Sequence, residues 1–161
     1  MGKDLIIQAS ARADGDTFRV VEHLAAKSRA TTIDLLDFKI YPFRYDQDYP
    51  EDDQFLGVFR YYILGADEIT LATPIYWYTM SGLLKNFLDR FSDLLITHKE
   101  LGRQLRGKEL VVVSVGQDKK VPPSFYDPFF RTAEYLGMDF FHNYHAYLED
   151  EMVVIEKQLP F

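Results

Sequence analysis

Cysteine is absent from the chain. Disulfides, thiolate catalysis, Cys-bound zinc and iron–sulfur clusters are thereby excluded, and any redox chemistry must come from a bound cofactor. No apolar run approaches the ~20 residues that a membrane-spanning helix requires. Basic residues are outnumbered: 18 Lys and Arg face 25 Asp and Glu, a net charge of −7. That balance argues against a surface built to neutralise nucleic-acid phosphates or anionic lipids, so neither nucleic acid nor membrane is expected as a partner. The chain also lacks Gly-x-Gly-x-x-Gly and any Gly-Lys-Ser or Gly-Lys-Thr, so a dinucleotide fingerprint and a P-loop are both missing. Internal repeats and low-complexity tracts are missing too.

What remains is 161 residues, read as one domain, 1–161, large enough to bury a core without staples. The start, Met1-Gly2-Lys3-Asp4, shows neither a cationic segment nor a cleavage site, and Ile6 stands where a myristoylation motif needs Ser or Thr. A cytoplasmic protein is expected.

Strand-like and helix-like patterns alternate along the chain. Asp4 to Ala9 is apolar, and after a polar loop, Ser10 to Asp16, the stretch Thr17 to Arg29 carries Phe18, Val21, Leu24 and Ala25 at helical spacing. Thr31 to Leu35 reads as a second strand, followed by an irregular aromatic segment, Tyr41 to Asp53, and a helix from Gln54 to Leu64. Glu68 to Ala72 reads as a third strand. Ser81 to Leu95 predicts one helix with Leu84, Leu88, Phe91 and Leu95 on its buried stripe. His98 to Lys108 is charged and suits a surface connection, and Leu110 to Val115 is β-branched enough for a central strand buried on both faces. A helix from Ser124 to Leu136 and a strand within Asp139 to Tyr147 complete the pattern. Alternation of this kind predicts a doubly wound α/β sandwich of three layers, with a five-stranded parallel sheet in order 2-1-3-4-5. In that order the loops after the first and third strands face a common crevice, where open α/β sheets place ligands.

Both loops carry chemistry. Ser10-Ala11-Arg12-Ala13-Asp14-Gly15-Asp16-Thr17 leads into a helix N-terminus, where free amides and the helix dipole favour an anion. Thr73-Pro74-Ile75-Tyr76-Trp77-Tyr78 ends the third strand in an aromatic turn, and Ser81 is placed to cap the helix that follows.

The second stretch, read as Thr-Pro-x-Tyr-Trp, then Ser81-Gly82-x-x-Lys85, then Asp89-Arg90, resembles the ring-binding loop and helix of the NADPH-dependent FMN reductase family. The first resembles that family's phosphate loop, Ser-x-Arg-x-x-Gly-Asn-Thr, with Asp16 in place of Asn. The resemblance covers roughly Asp4 to Val115 and implies a flavodoxin-like fold. It also implies FMN as cofactor, NADPH or NADH as co-substrate, a small-molecule acceptor such as a quinone or free flavin, and a homodimer. By the same resemblance Ser10, Arg12, Asp16 and Thr17 face the phosphate, and Thr73 and Pro74 lead the backbone of Ile75, Tyr76, Trp77 and Tyr78 along the isoalloxazine edge. Gly116 and Gln117 complete the ring pocket.

Flavin accepts hydride without an obligatory side-chain acid, so no catalytic side chain is assigned. A carboxylate capping the helix at Asp16, with Asp14 beside it, would compete with a phosphate for the same amides. A self-capped loop in which Arg12 pairs with Asp16 therefore stays open, and with it a flavin-free, non-catalytic domain. A flavodoxin-type electron carrier is the other alternative. No metal site is expected: on a strand His142 and His145 point to opposite faces. Lys85 and Asp89 read as a weak surface pair. The aromatic segment from Tyr41 to Tyr45 either lines the acceptor pocket, or a neighbouring subunit's site, or packs on its own sheet edge.

Overall fold

The computed structural model describes residues 3–158. Met1 and Gly2, which open the excluded myristoylation motif, lie outside them. A six-stranded sheet in the order β2-β1-β3-β4-β5-β6 organises the molecule. Its strands are β1 (Asp4–Gln8), β2 (Thr31–Asp34), β3 (Glu68–Pro74), β4 (Glu109–Val115), β5 (Asp139–Glu149) and β6 (Met152–Lys157). The first five are parallel in the expected order, and β6 adds an antiparallel edge through a hairpin on β5. The expected five strands are thus six. The Asp150-Glu151 turn has positive φ at both residues, 48° and 64°, and carries no Asn-Gly or Asp-Gly signature from which a hairpin would be read.

Among the described residues six α-helices cover the sheet: α1 (Asp16–Ser28), α2 (Phe55–Val58), α3 (Gly82–Asp89), α4 (Phe91–Ile96), α5 (Lys99–Arg103) and α6 (Asp127–Leu136). The period of α1 buries Thr17, Val20 and Val21 against Ile6, Ala72 and the valines of β4 on one face. The other face holds the larger cluster, where Leu5, Ile7, Leu71 and Val112 meet Phe55, Phe59, Phe87 and Phe129. Strand β4 is buried from Leu110 onward because α1 packs on Val111, Val113 and Val115 of one face and the larger cluster covers Leu110 and Val112 on the other.

Several boundaries differ from the sequence reading. The expected helix over Gln54–Leu64 is one α-turn followed by a π-helical turn, Phe59–Ile63, closed by the Leu64 amide on the Phe59 carbonyl at 3.1 Å. The helix expected over Ser81–Leu95 is broken at Arg90, and beyond the break Phe91, Asp93 and Leu94 are buried, while Leu95 faces outward. Between His98 and Lys108 the chain forms α5, whose Gly102 sits under the Leu94 carbonyl, 2.7 Å from where a Cβ would lie. The last helix starts at Asp127, after a 3-10 turn, Pro123–Phe125.

The break at Arg90 coincides with a buried ionic cluster. The Arg90 side chain is 1% exposed; Nη1 and Nη2 donate to the two carboxylate oxygens of Asp53 at 2.7 and 3.0 Å, and Nε donates to Asp93 at 2.8 Å. Nη1 also reaches the Tyr41 carbonyl at 2.9 Å, and the guanidinium lies 3.6 Å from the Tyr49 ring centre. The aromatic segment is therefore tied down from within, with Tyr41 and Tyr49 folded around Arg90. Tyr45 instead is 92% exposed.

Candidate functional site

Two loops meet at the carboxyl edge of β1 and β3 because Ser81 joins them. Its hydroxyl donates to the Ala9 carbonyl at the end of β1 (2.6 Å) and accepts the Leu84 amide (3.1 Å), while its own amide donates to Thr73 Oγ1 at 3.0 Å. Ser81 thus caps α3, as expected, and also fixes the β3 turn against the β1 loop. The Ile75 amide donates to the Val115 carbonyl at 2.9 Å, drawing in the loop after β4.

The result is a cleft of about 340 Å3 lined by Ser10, Arg12, Gly15, Asp16, Thr17, Pro74, Ile75, Tyr76, Val115, Gly116 and Gln117. A second cleft of about 350 Å3 adjoins it, sharing Ile75, Gly116 and Gln117 and adding Trp77, Tyr78, Asp118, Lys120 and Pro122. Apart from Thr73, every expected site residue lines one of the two. Thr73 is fully buried and acts behind the wall, through Ser81. Asp118, Lys120 and Pro122 escaped the sequence reading, although their place after a strand's carboxyl end was a signal for them.

A larger groove, about 600 Å3, follows the free edge of β2 and contains none of the motif residues except Ala13 of the first loop; its polar wall is closed by Gln8 donating to Asp34 at 2.7 Å. Burial raises the Asp34 carboxyl above its ordinary range, although the Leu36 amide and Gln8 act against it. We place the site in the paired clefts, where the motifs converge.

At the loop after β1 the geometry corrects one expectation. Gly15, not Asp16, is the N-cap of α1, and no side chain caps the helix. The first helical bond runs from the Arg19 amide to the Gly15 carbonyl at 3.2 Å, so the amides of Asp16, Thr17 and Phe18 have no backbone partner. Asp16 occupies the first helical position, half-buried, with its donors uncompeted. Nor does Arg12 pair with it: among the described residues Arg12 forms no ion pair. Its guanidinium lies over Gly15, where an added Cβ would stand 3.1 Å from Nη2. Ser10 Oγ accepts the Arg12 amide at 3.3 Å. The self-capped loop does not form, and the argument for a flavin-free domain loses its basis.

At the ring end, the Tyr76 amide donates to the Thr79 carbonyl at 2.9 Å and the Thr79 amide returns to Tyr76 at 3.1 Å. Trp77 and Tyr78 fill this two-residue turn at φ 49° and 67°. Non-glycine residues in that region cost of order 1–3 kcal/mol each, a strain that functional loops commonly carry. Trp77 is 91% exposed and walls the outer cleft. Among the described residues no group of three metal-ligating side chains occurs, and no helix is long and apolar enough to cross a membrane.

An uncapped helix N-terminus and an aromatic turn at the switch point of a 2-1-3-4-5 sheet define a flavodoxin-like cofactor-binding protein. Comparison with known proteins agrees. The model of the NADPH-dependent FMN reductase family matches residues 3–121. YwqN of Bacillus subtilis (strain 168), an NAD(P)H-dependent FMN-containing oxidoreductase by name, is 32% identical over 123 residues, 72% of this chain and 67% of that protein. Among solved structures, the Trp repressor binding protein of Bacillus subtilis superposes with a TM-score of 0.69 at 27% identity, covering 91% of this chain and 88% of that one. The general stress protein 14 of Treponema denticola, solved in complex with FMN, gives 0.65 at 20% identity over 92% and 87%, a likeness of fold. The chain belongs to the NADPH-dependent FMN reductase family. That membership favours an NAD(P)H-dependent flavin oxidoreductase over an electron carrier.

Proposed function

We propose that the paired clefts hold FMN, its phosphate at the α1 N-terminus and its ring against Ile75 to Tyr78, and that the protein passes hydride from NADPH or NADH to a small acceptor such as a quinone or free flavin. The carrying observation is the continuity of the uncapped α1 amides with the Ile75–Gly116 wall. These residues fit the group. The amides of Asp16, Thr17 and Phe18 converge on one point at the positive end of a 13-residue helix, where a phosphate is favoured. Ser10 and Thr17 add hydroxyls beside them, and Arg12 adds a cation. Bound flavin supplies a ring that takes up and releases a hydride equivalent, so the protein's part is to bind, orient and shield. Pro74 and the Thr73–Ser81 bond hold the turn rigid, and the Ile75 side chain gives the floor an apolar surface.

The chain is read as one domain, acting in the cytoplasm, with neither nucleic acid nor membrane as partner, in keeping with its net charge of −7. Exposed aromatic rings at Tyr45, Trp77 and Tyr78 support a homodimer that covers them. One experiment tests the reading: size-exclusion chromatography of protein loaded with FMN, monitored in the visible, followed by NADPH and NADH oxidation with a quinone. Yellow protein eluting as a dimer and turning over is expected. Colourless protein refutes the flavin site, an inert yellow one the activity, and a monomer the dimer.

A further inference from the structure

His145 lies on β5, outside the clefts, and is fully buried. Its Nε2 stands 2.7 Å from the Asp118 carbonyl. A carbonyl only accepts, so Nε2 carries a proton and donates to it, while Nδ1 lies 2.8 Å from Ser114 Oγ. Ser114 Oγ is in turn 2.7 Å from the Tyr126 hydroxyl, which donates to the Tyr144 carbonyl at 2.9 Å. Burial raises the Tyr126 phenol to about 12, against the Ser114 hydrogen bond, so it stays protonated and serves as a donor. Ser114 and, behind it, Tyr126 thus hold the ring in the orientation that binds Asp118.

Between Gln117 and Val121 no backbone-to-backbone hydrogen bond occurs among the described residues, so side chains hold the loop to β5: at the surface Lys119 pairs with Glu149 and lies over the Tyr147 ring, and the His145–Asp118 bond is the buried tie. The same imidazole supports the cleft floor: a Cβ on Gly116 would stand 3.3 Å from His145 Cε1 and 3.5 Å from Ile75 Cδ1. A bulkier residue at either place would lift Gly116 into the cleft.

We propose that His145 is a positioning residue that anchors the loop from Gly116 to Pro122 from below and so sets the shape of the wall against which the cofactor ring and the acceptor lie. The functional half of this rests on the flavin reading above, whereas the anchoring half does not. Loss of the buried bond frees the loop without touching the phosphate end.

The test uses the purified full chain, without and with FMN. Lys119 and Lys120 make the loop a trypsin site, so its cleavage rate reads anchoring with no cofactor present. In His145→Phe, which keeps an aromatic ring at the position and loses both bonds, cleavage there rises roughly tenfold and FMN affinity falls roughly tenfold, the worth of one buried hydrogen bond. His145→Gln restores both toward wild type, because its side-chain amide donates to the same carbonyl; a purely space-filling role predicts no such rescue. Should His145→Phe fail to fold, Ser114→Ala serves, removing the contact that orients the ring and raising cleavage severalfold. Unchanged cleavage in His145→Phe, or in Ser114→Ala where it is used, overturns the anchoring, as does His145→Gln as labile as His145→Phe. Faster cleavage with unchanged FMN affinity overturns the role in shaping the cleft. Wild-type protein that ignores FMN refutes the flavin reading, and the trypsin arm still decides the anchor.

Discussion

Replacing Arg90 with Met should destabilise the protein more than any single surface change. Methionine keeps the aliphatic stem and helix compatibility of the side chain and removes the guanidinium, with its charge, donors and stacking surface. Four hydrogen bonds go: two to Asp53, one to Asp93 and one to the Tyr41 carbonyl. The Asp53 and Asp93 side chains, 9% and 4% exposed, are left as uncompensated buried carboxylates. Breaking a buried pair in this way costs about 3–5 kcal/mol, and the lost stacking on Tyr49 adds about 1 kcal/mol. Against a total stability of about 5–15 kcal/mol, that is a large fraction. The pH dependence carries the sharper signature. In the wild type burial pushes the Asp53 carboxyl up, but hydrogen bonds from Arg90 and from the Tyr41 and Phe55 amides, with the guanidinium charge, bring it below its ordinary value. Its contribution is therefore complete above the unfolded value, about 3.9, and is lost only as pH falls through the lower folded one, so it is constant between pH 5 and 7. In Arg90→Met burial prevails, the folded Asp53 carboxyl titrates above the unfolded value, and folding then binds a proton. The variant's deficit should be largest at pH 7 and shrink toward pH 5. Urea denaturation at both pH values measures it. A deficit below about 1 kcal/mol, as for an exposed pair, or one that does not change with pH, refutes the reasoning.

Asp16→Asn should tighten FMN binding, since the carboxylate sits beside the proposed phosphate position without capping the helix; partly screened repulsion of about 1 kcal/mol corresponds to roughly fivefold in affinity. Helix α1 should lose about 0.3–1 kcal/mol of favourable dipole interaction, and weaker FMN binding by calorimetry would show that the carboxylate organises the loop. Trp77, the one tryptophan of the chain, should lose most of its fluorescence when FMN is added, because it walls the outer cleft. Unchanged emission at saturating FMN would move the ring away from this turn.

Periodicity and punctuation in the sequence determined the alternation of strands and helices, hence the 2-1-3-4-5 order and the convergence of the two motif loops, because parallel neighbours admit few connections. Composition set the need for a cofactor, and residue type set the cap at Ser81, a contact made within one turn of its own helix. What lay beyond was decided between distant segments. The break at Arg90 follows from carboxylates 37 residues before it and three after it, and no local propensity encodes their meeting. Likewise, that Gly15 and not Asp16 caps α1 is a property of the folded backbone, since residue type alone offers the carboxylate as the better cap. The sixth strand needed a hairpin whose turn residues, Asp150 and Glu151, adopt positive φ without the usual glycine. His145 looked like an ordinary strand histidine until parallel pairing put it beside Ser114 and beneath Asp118. Local energetics are written in neighbouring residues; a buried polar partner is chosen by the fold, which alone brings it within 3 Å.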